Sequence, residues 1–150
     1  MKGGKDLCAH HDLGSMPHII ETLNIRTHGE KDIINITSLV NDVIKKSKTR
    51  EGTLLAFTPH TTTALTVNED EPGLLQDLSN KLSDIVPKGQ GYSHDRIDSN
   101  AHSHILASII GCSVSIPIVK GSTALGTWQS ILFIELDGPR NRRVTVQIRE

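Results

Sequence analysis

The chain has 150 residues, a formal charge of −1 and only 3% aromatic residues. That length suits one domain burying about 68–70% of its unfolded surface, and a near-neutral charge argues against a nucleic-acid surface, which needs an excess of Lys and Arg. Two cysteines, Cys8 and Cys112, make no disulfide framework, and the absence of any apolar run near about 18 residues or of a signal-peptide core reads as a soluble, cytoplasmic protein without membrane contact.

Residues 1–15 carry no hydrophobic period, and Gly14-Ser15-Met16 has the form of a cloning scar ahead of a second methionine. They read as a tag or disordered tail, so His10 and His11 are set aside as ligands and residues 16–150 form the single domain. From Pro17 to Arg26, Ile20, Leu23 and Ile25 among polar neighbours predict a strand, and the Gly29 region turns the chain. Ile33, Ile34 and Ile36 predict a second strand. Thr37 or Ser38 is placed to N-cap a helix in which Leu39, Val40, Val43 and Ile44 recur at helical spacing, and Lys45, Lys46 and Lys48 suit its C-terminus.

Thr53 to Thr58 is apolar enough for a central strand, ended by Pro59. His60 follows at the strand end, where a rigid scaffold presents side chains, and Thr61 to Val67 is β-rich by its Thr and Val content. Asn68-Glu69-Asp70-Glu71-Pro72-Gly73 precedes a helical pattern of Leu74, Leu75, Leu78, Leu82 and Ile85. Asp70, Glu71 and Pro72 suit a helix start, which leaves Asn68 and Glu69 as candidate oxygen ligands for a hard cation.

The window Gly91 to His104 holds His94, His102 and His104 with Asp95, Asp98 and Asn100, and has no apolar face before Ala101. Such a run offers imidazoles, carboxylates and an amide for coordination or proton transfer, or forms a solvated turn. Ala101 to Ile110 reads as a helix, in which His102 and His104 stand about 200° apart and cannot face one centre.

Cys112, beside apolar residues, reads as an inert buried thiol. Ser113 to Val119 is a strand whose Pro117 demands an edge or bulge, and Gly121 to Gly126 is a loop. Trp128 to Leu136 is a long strand, and the Asp137-Gly138 turn returns the chain as Val144 to Ile148 with clean alternation. Arg140, Arg142 and Arg143 after that turn suit either a phosphorylated small molecule or a solvated hairpin edge. Hairpins with two or three helices give an α+β fold with antiparallel sheets.

The blocks Phe57 to Leu65, Asn68 to Gly73, Gly91 to His104, Leu125 to Gln129 and Glu135 to Arg140 resemble, in order and spacing, the signature blocks of the YjbQ-like family, also called secondary thiamine-phosphate synthases. The resemblance runs from about Met16 to the C-terminus. It implies a β-sandwich-like α+β subunit, a homotrimer with its cleft near subunit contacts, and a transferase that joins a hydroxymethylpyrimidine diphosphate to a thiazole phosphate with release of pyrophosphate.

In that reading the catalytic candidates are His60, His94, Asp95 and Glu69. Asn68, Asn100 and Arg96 are expected to bind substrate, as are Thr127, Trp128, Gln129 and Arg140. Arg96 and Arg140 would meet phosphate oxygens, and Trp128 offers a flat face to a heterocycle or serves packing alone. His94, His102 and His104 are the expected ligands of a divalent metal, zinc or magnesium, that would neutralise the departing diphosphate. Two alternatives stay open on the same residues: a metal-assisted hydrolase of a small phosphorylated or ester substrate, and a non-catalytic metal- or ligand-binding protein.

Overall fold

The computed structural model describes residues 18–150, so the expectation for residues 1–15 lies outside the described residues. Strands β1 (His18–Arg26) and β2 (Asp32–Asn35) precede helix α1 (Thr37–Ser47), then β3 (Gly52–Phe57), β4 (Thr63–Asn68) and helix α2 (Pro72–Ile85). A 3-10 turn (Ser93–Arg96) leads into helix α3 (Ala101–Ile110), and β5 (Ser113–Val119), β6 (Ser122–Thr123), β7 (Ser130–Glu135) and β8 (Asn141–Arg149) complete the chain. The fold is α+β with three helices and wholly antiparallel pairing, as expected.

Two sheets face each other: one ordered β1-β8-β3-β5-β6, the other β2-β7-β4. Side chains of successive strand residues point to opposite faces, and the sequence parity fits that rule. Leu54 and Ala56 of β3, Val144, Val146 and Ile148 of β8, and Ile131 and Phe133 of β7 meet in one core with Val40, Val43 and Ile44 of α1. The other face of the smaller sheet is not solvated. Ala64 and Ile134 pack there against Leu106 and Ala107 of α3 and Val86 after α2, so β7 is buried on both sides.

Local chemistry accounts for the element ends, with some departures from expectation. Helix α1 is not capped by Thr37 or Ser38: the Asn35 side chain accepts from the Thr37 N–H at 3.0 Å and from its hydroxyl at 2.6 Å, and does the capping from just outside. Glu71 caps α2 by accepting from the Gly73 and Leu74 N–H groups at 2.8 and 2.7 Å, with Pro72 at the first helical position. Pro117 sits in register with Thr53 inside β5, and the partner beyond it, β6, is a two-residue strand pairing only with Ile118 and Val119, so the proline lies on what is nearly an edge. The strand expected from Trp128 starts only at Ser130, because Gln129 closes a tight loop by accepting from the Gly126 N–H at 2.8 Å.

Gly138 is required by close approach at the β7–β8 turn. A Cβ there would run into the Gly29 carbonyl oxygen and lie 2.7 Å from Cγ of Glu135. This contact docks the turn on the β1–β2 loop and thereby fixes the end of the sandwich where the candidate site lies.

Candidate functional site

The turn joining β3 to β4, Thr58 to Thr62, is tied down on two sides. Thr58 donates its N–H to the Cys112 carbonyl at 2.9 Å, the Thr62 carbonyl accepts from the Leu136 N–H at 3.1 Å, and the Thr58 and Thr63 hydroxyls bond each other at 2.6 Å across the turn. His60 projects from this braced segment. Its Nε2 accepts the backbone N–H of Arg143 at 3.0 Å, which in the neutral ring leaves the proton on Nδ1. Burial, then the Arg142 and Arg143 charges, pull the imidazole below its ordinary pKa against an opposing pull from Glu135. His60 is therefore a neutral Nδ1–H donor.

Behind it lies a buried ion pair. Glu135 is fully buried and Arg142 nearly so; Nε and Nη2 of Arg142 each reach a different Glu135 oxygen at 2.6 Å, and Nη2 also donates to the Thr62 hydroxyl at 3.0 Å. Glu135 further accepts from the Thr27 hydroxyl at 3.1 Å and from the Leu136 and Asp137 N–H groups at 3.0 Å. Burial pushes this carboxyl up, but the Arg142 bonds outweigh it and hold the pKa below the usual range. Glu135 was not among the expected site residues, and Arg142, expected on a phosphorylated ligand or a solvated edge, is buried instead; strand parity carries the signal, since Glu135 shares the face of Ile131 and Phe133, and Arg142 that of Val144, Val146 and Ile148. An ionisable residue on each of two apolar faces points to a buried pair.

In front of His60 opens a cavity of about 600 Å³. Phe57, Pro59 and Ala107 give it apolar walls, exposed Thr61 supplies a hydroxyl, and His104 faces it from α3. His94 packs edge-on against His104, with ring centroids 4.9 Å apart and planes at 78°. Asp95 accepts from the Ala101 N–H at 3.1 Å, so its carboxylate fastens the 3-10 turn to the start of α3. Cys112, expected to be buried, is exposed and lines the same cavity, since it lies at the bend after α3 rather than among the helix's apolar residues.

Asn100, just before α3, is buried; its Nδ2 donates to Asp137 at 3.1 Å, and its Oδ1 has no hydrogen-bond partner among the described residues. Arg140 also grips Asp137, through Nη2 at 2.9 Å and through Nε to the carbonyl at 2.7 Å. Asp137 thus links Asn100 and Arg140, two expected substrate-binding residues, while Arg96 stands exposed on the 3-10 turn.

Other expected residues lie elsewhere. Asn68 pairs with Ser130 while Thr63 pairs with Glu135, so five strand steps of about 3.4 Å put Asn68 and Glu69 roughly 17 Å from the buried ion pair. Thr127, Trp128 and Gln129 sit beside that far end and are exposed. His102 points away from His104, as the helical angle requires, and is buried at a separate cleft.

The expected metal ligands are therefore not brought together. His94 and His104 meet, His102 does not join them, and Nε2 of His60 is spent on a backbone N–H. Among the described residues no group of three His, Cys, Asp or Glu side chains is close enough to hold a metal ion. Two converging imidazoles fall short of the three protein ligands usual at a catalytic zinc, so the donor set of one subunit does not fit the expected metal.

Residues 21–150 match the family model described as UPF0047 protein YjbQ-like. A UPF0047 protein of Archaeoglobus fulgidus is 50% identical over 125 residues, covering 83% of this chain and 97% of the relative. One from Methanothermobacter thermautotrophicus is 45% identical over 128 residues, with 85% and 90% covered. Among solved structures, a YbjQ-like protein of unknown function from Sulfolobus solfataricus superposes with a TM-score of 0.86 at 34% identity, covering 89% of this chain and 97% of its own. A hypothetical protein from Aeropyrum pernix gives 0.84 at 36% identity, with 87% and 97% covered.

Proposed function

The chain belongs to the YjbQ-like UPF0047 family, and on that premise we propose that it is a transferase acting on a small phosphorylated substrate, with accessory thiamine-phosphate synthase activity. The observation that carries the reading is the cavity shared by His60 and His104. Its size and mostly apolar lining with a few fixed polar groups suit a flat heterocycle. In the proposed reaction the bond between the pyrimidine methylene carbon and the diphosphate oxygen breaks, and the thiazole nitrogen bonds to that carbon. The apolar walls exclude water from the cation that forms, and the exposed hydroxyl of Thr61 orients the ring.

His60 donates from Nδ1 to the substrate, and the His94–His104 pair supplies the second proton-transfer group. Arg140, held by Asp137, and the exposed Arg96 receive phosphate oxygens. No step is routed through a metal. A cytoplasmic homotrimer belongs to the same proposal: Ile97, Ile105 and Ile109 expose apolar surface around α3, next to the cavity, which suits a cleft near subunit contacts. Among the described residues no helix is long and apolar enough to cross a membrane.

The test is direct assay of the purified protein with hydroxymethylpyrimidine diphosphate and thiazole phosphate, following thiamine phosphate. Turnover is expected, and His60→Ala should lower kcat by about 10²-fold or more with the fold intact by circular dichroism. Absence of product would reject the synthase reading, and hydrolysis of generic phosphate esters in its place would favour the hydrolase.

A further inference from the structure

A second cleft, of about 390 Å³, is lined by Glu30, Lys31, Ser83, Lys88 and His102. These residues come from the β1–β2 loop, α2, the segment after α2 and the first turn of α3, and no apolar side chain is among them. It shares no residue with the His60 cavity. The Lys31 ammonium donates to the Ser83 hydroxyl, which itself donates to the Ser79 carbonyl at 2.9 Å, so this cation is held against α2. Lys88 donates to Glu30 at 2.6 Å. Two ammonium groups thus meet one carboxylate, and that carboxylate is half exposed and free to swing into solvent.

His102 forms the buried wall, 3% exposed. The Ser103 hydroxyl spends its proton on the Leu136 carbonyl at 2.6 Å, so at 3.3 Å from His102 Nε2 it acts as the acceptor, and Nε2 carries the ring proton. Nδ1 is then a bare lone pair with no partner among the described residues. An acceptor left buried and unpaired in this way is destabilising. Burial first, then the Lys88 and Lys31 charges, keep the imidazole neutral, with Glu30 and Asp95 pulling the other way. The cleft therefore sets two ammonium groups around a single carboxylate, Glu30, whose Oε1 also lies 3.8 Å from Nε2 of His102.

We propose that this cleft is a binding site for a phosphoryl group, received by Lys31 and Lys88 with Glu30 displaced. A metal cation is disfavoured by the two ammonium groups. A dianion matches the paired lysines better than a carboxylate does. The inference stands whether or not the His60 cavity is a transferase site.

The experiment titrates the full chain with inorganic phosphate at constant ionic strength, by calorimetry and by the NMR shifts of the His102 ring. One saturable event is expected at this cleft that shifts the His102 ring resonances, with Lys31→Ala and Lys88→Ala each weakening binding about tenfold, Glu30→Gln tightening it, and His60→Ala leaving it unchanged. Lys88 is exposed, so its variant tests the site even if Lys31→Ala fails to fold. Absence of saturable binding, equal affinity for acetate, or binding lost with His60→Ala but kept with Lys88→Ala would each overturn the proposal.

Discussion

The β4–β7 ladder has two unlike ends. At the Thr63–Glu135 end, Glu135 takes five hydrogen bonds from Arg142, Thr27 and the chain ahead of it, and the neighbouring His60 has its tautomer set by a backbone N–H. At the Asn68–Ser130 end the polar groups face solvent, Asn68 satisfying little more than the Glu69 N–H, and Trp128 lies in the open. The same pair of strands thus carries a preorganised site at one end and an unbuilt surface at the other. The difference comes from what covers each end: β8, the β1–β2 loop and the turn at Gly138 close the first, whereas the second is bordered by the Gly126–Gln129 loop and by exposed Asn35, whose amide donates to Asp70 and Ser130.

The strongest way to break this contrast is to remove half of the buried pair. Arg142→Met or Glu135→Leu alone strands a buried charge and should lower the unfolding free energy by about 3–5 kcal/mol, whereas the double variant should recover much of that loss, because matched apolar groups replace a desolvated pair at little cost. Urea denaturation of the three variants measures both quantities. Single variants within about 0.5 kcal/mol of the parent would mean the built end is no more rigid than the open one.

Parity and periodicity made much of the fold legible. Alternation marked β8, helical spacing marked α1, and the limits of α3 match the apolar run that follows the polar window. The helical angle alone separates His102 from His104. What sequence does not show is which distant groups share an end. Asn68, Glu69 and Trp128 carry chemistry by residue type, but their register against β7 sets them far from His60, and register is a long-range property. The pairing of Glu135 with Arg142 was readable in parity but not in the block Glu135 to Arg140, since one ionisable residue in a strand identifies no partner until the sheets face each other. The Lys31–Lys88–His102 cleft joins three separate segments and leaves no local pattern.

A smaller effect sharpens the comparison through pH. His60 and His102 both have pKa values lowered from 6.5 by burial first and by neighbouring cations second. The unfolded chain then binds protons that the folded chain refuses, so stability contributed by the neutral imidazoles is present above pH 6.5 and declines as pH falls from there toward the folded values. Glu135 behaves oppositely in position: its pKa is lowered from 4.5, so its contribution persists down to about that pH and is lost only as pH falls through the folded value. Unfolding free energy measured from about pH 8 down to about pH 2, a span that takes in both windows, should fall first near the histidine window and again in acid. His60→Gln and His102→Gln should each flatten the first step and spare the second, and an unchanged first step in both would show that neither imidazole is held neutral by the fold.

The smallest effect belongs to the open end. Trp128 is the chain's one tryptophan and is 71% exposed, so its fluorescence reports that end alone. Trp128→Ala should change the unfolding free energy by no more than about 0.5 kcal/mol, since a side chain in solvent has little packing to lose. Emission from the parent should resemble free tryptophan and be readily quenched by acrylamide at concentrations where the protein is monomeric. If subunits assemble through this end, raising the protein concentration should shift the emission to shorter wavelength and reduce quenching in step with the mass seen by light scattering. A second subunit would then cover the ring and bring Asn68 and Glu69 toward a neighbour's surface. Assembly without any change at Trp128 would leave this end in water in the oligomer as well, and would place the contacts on the apolar face of α3 instead.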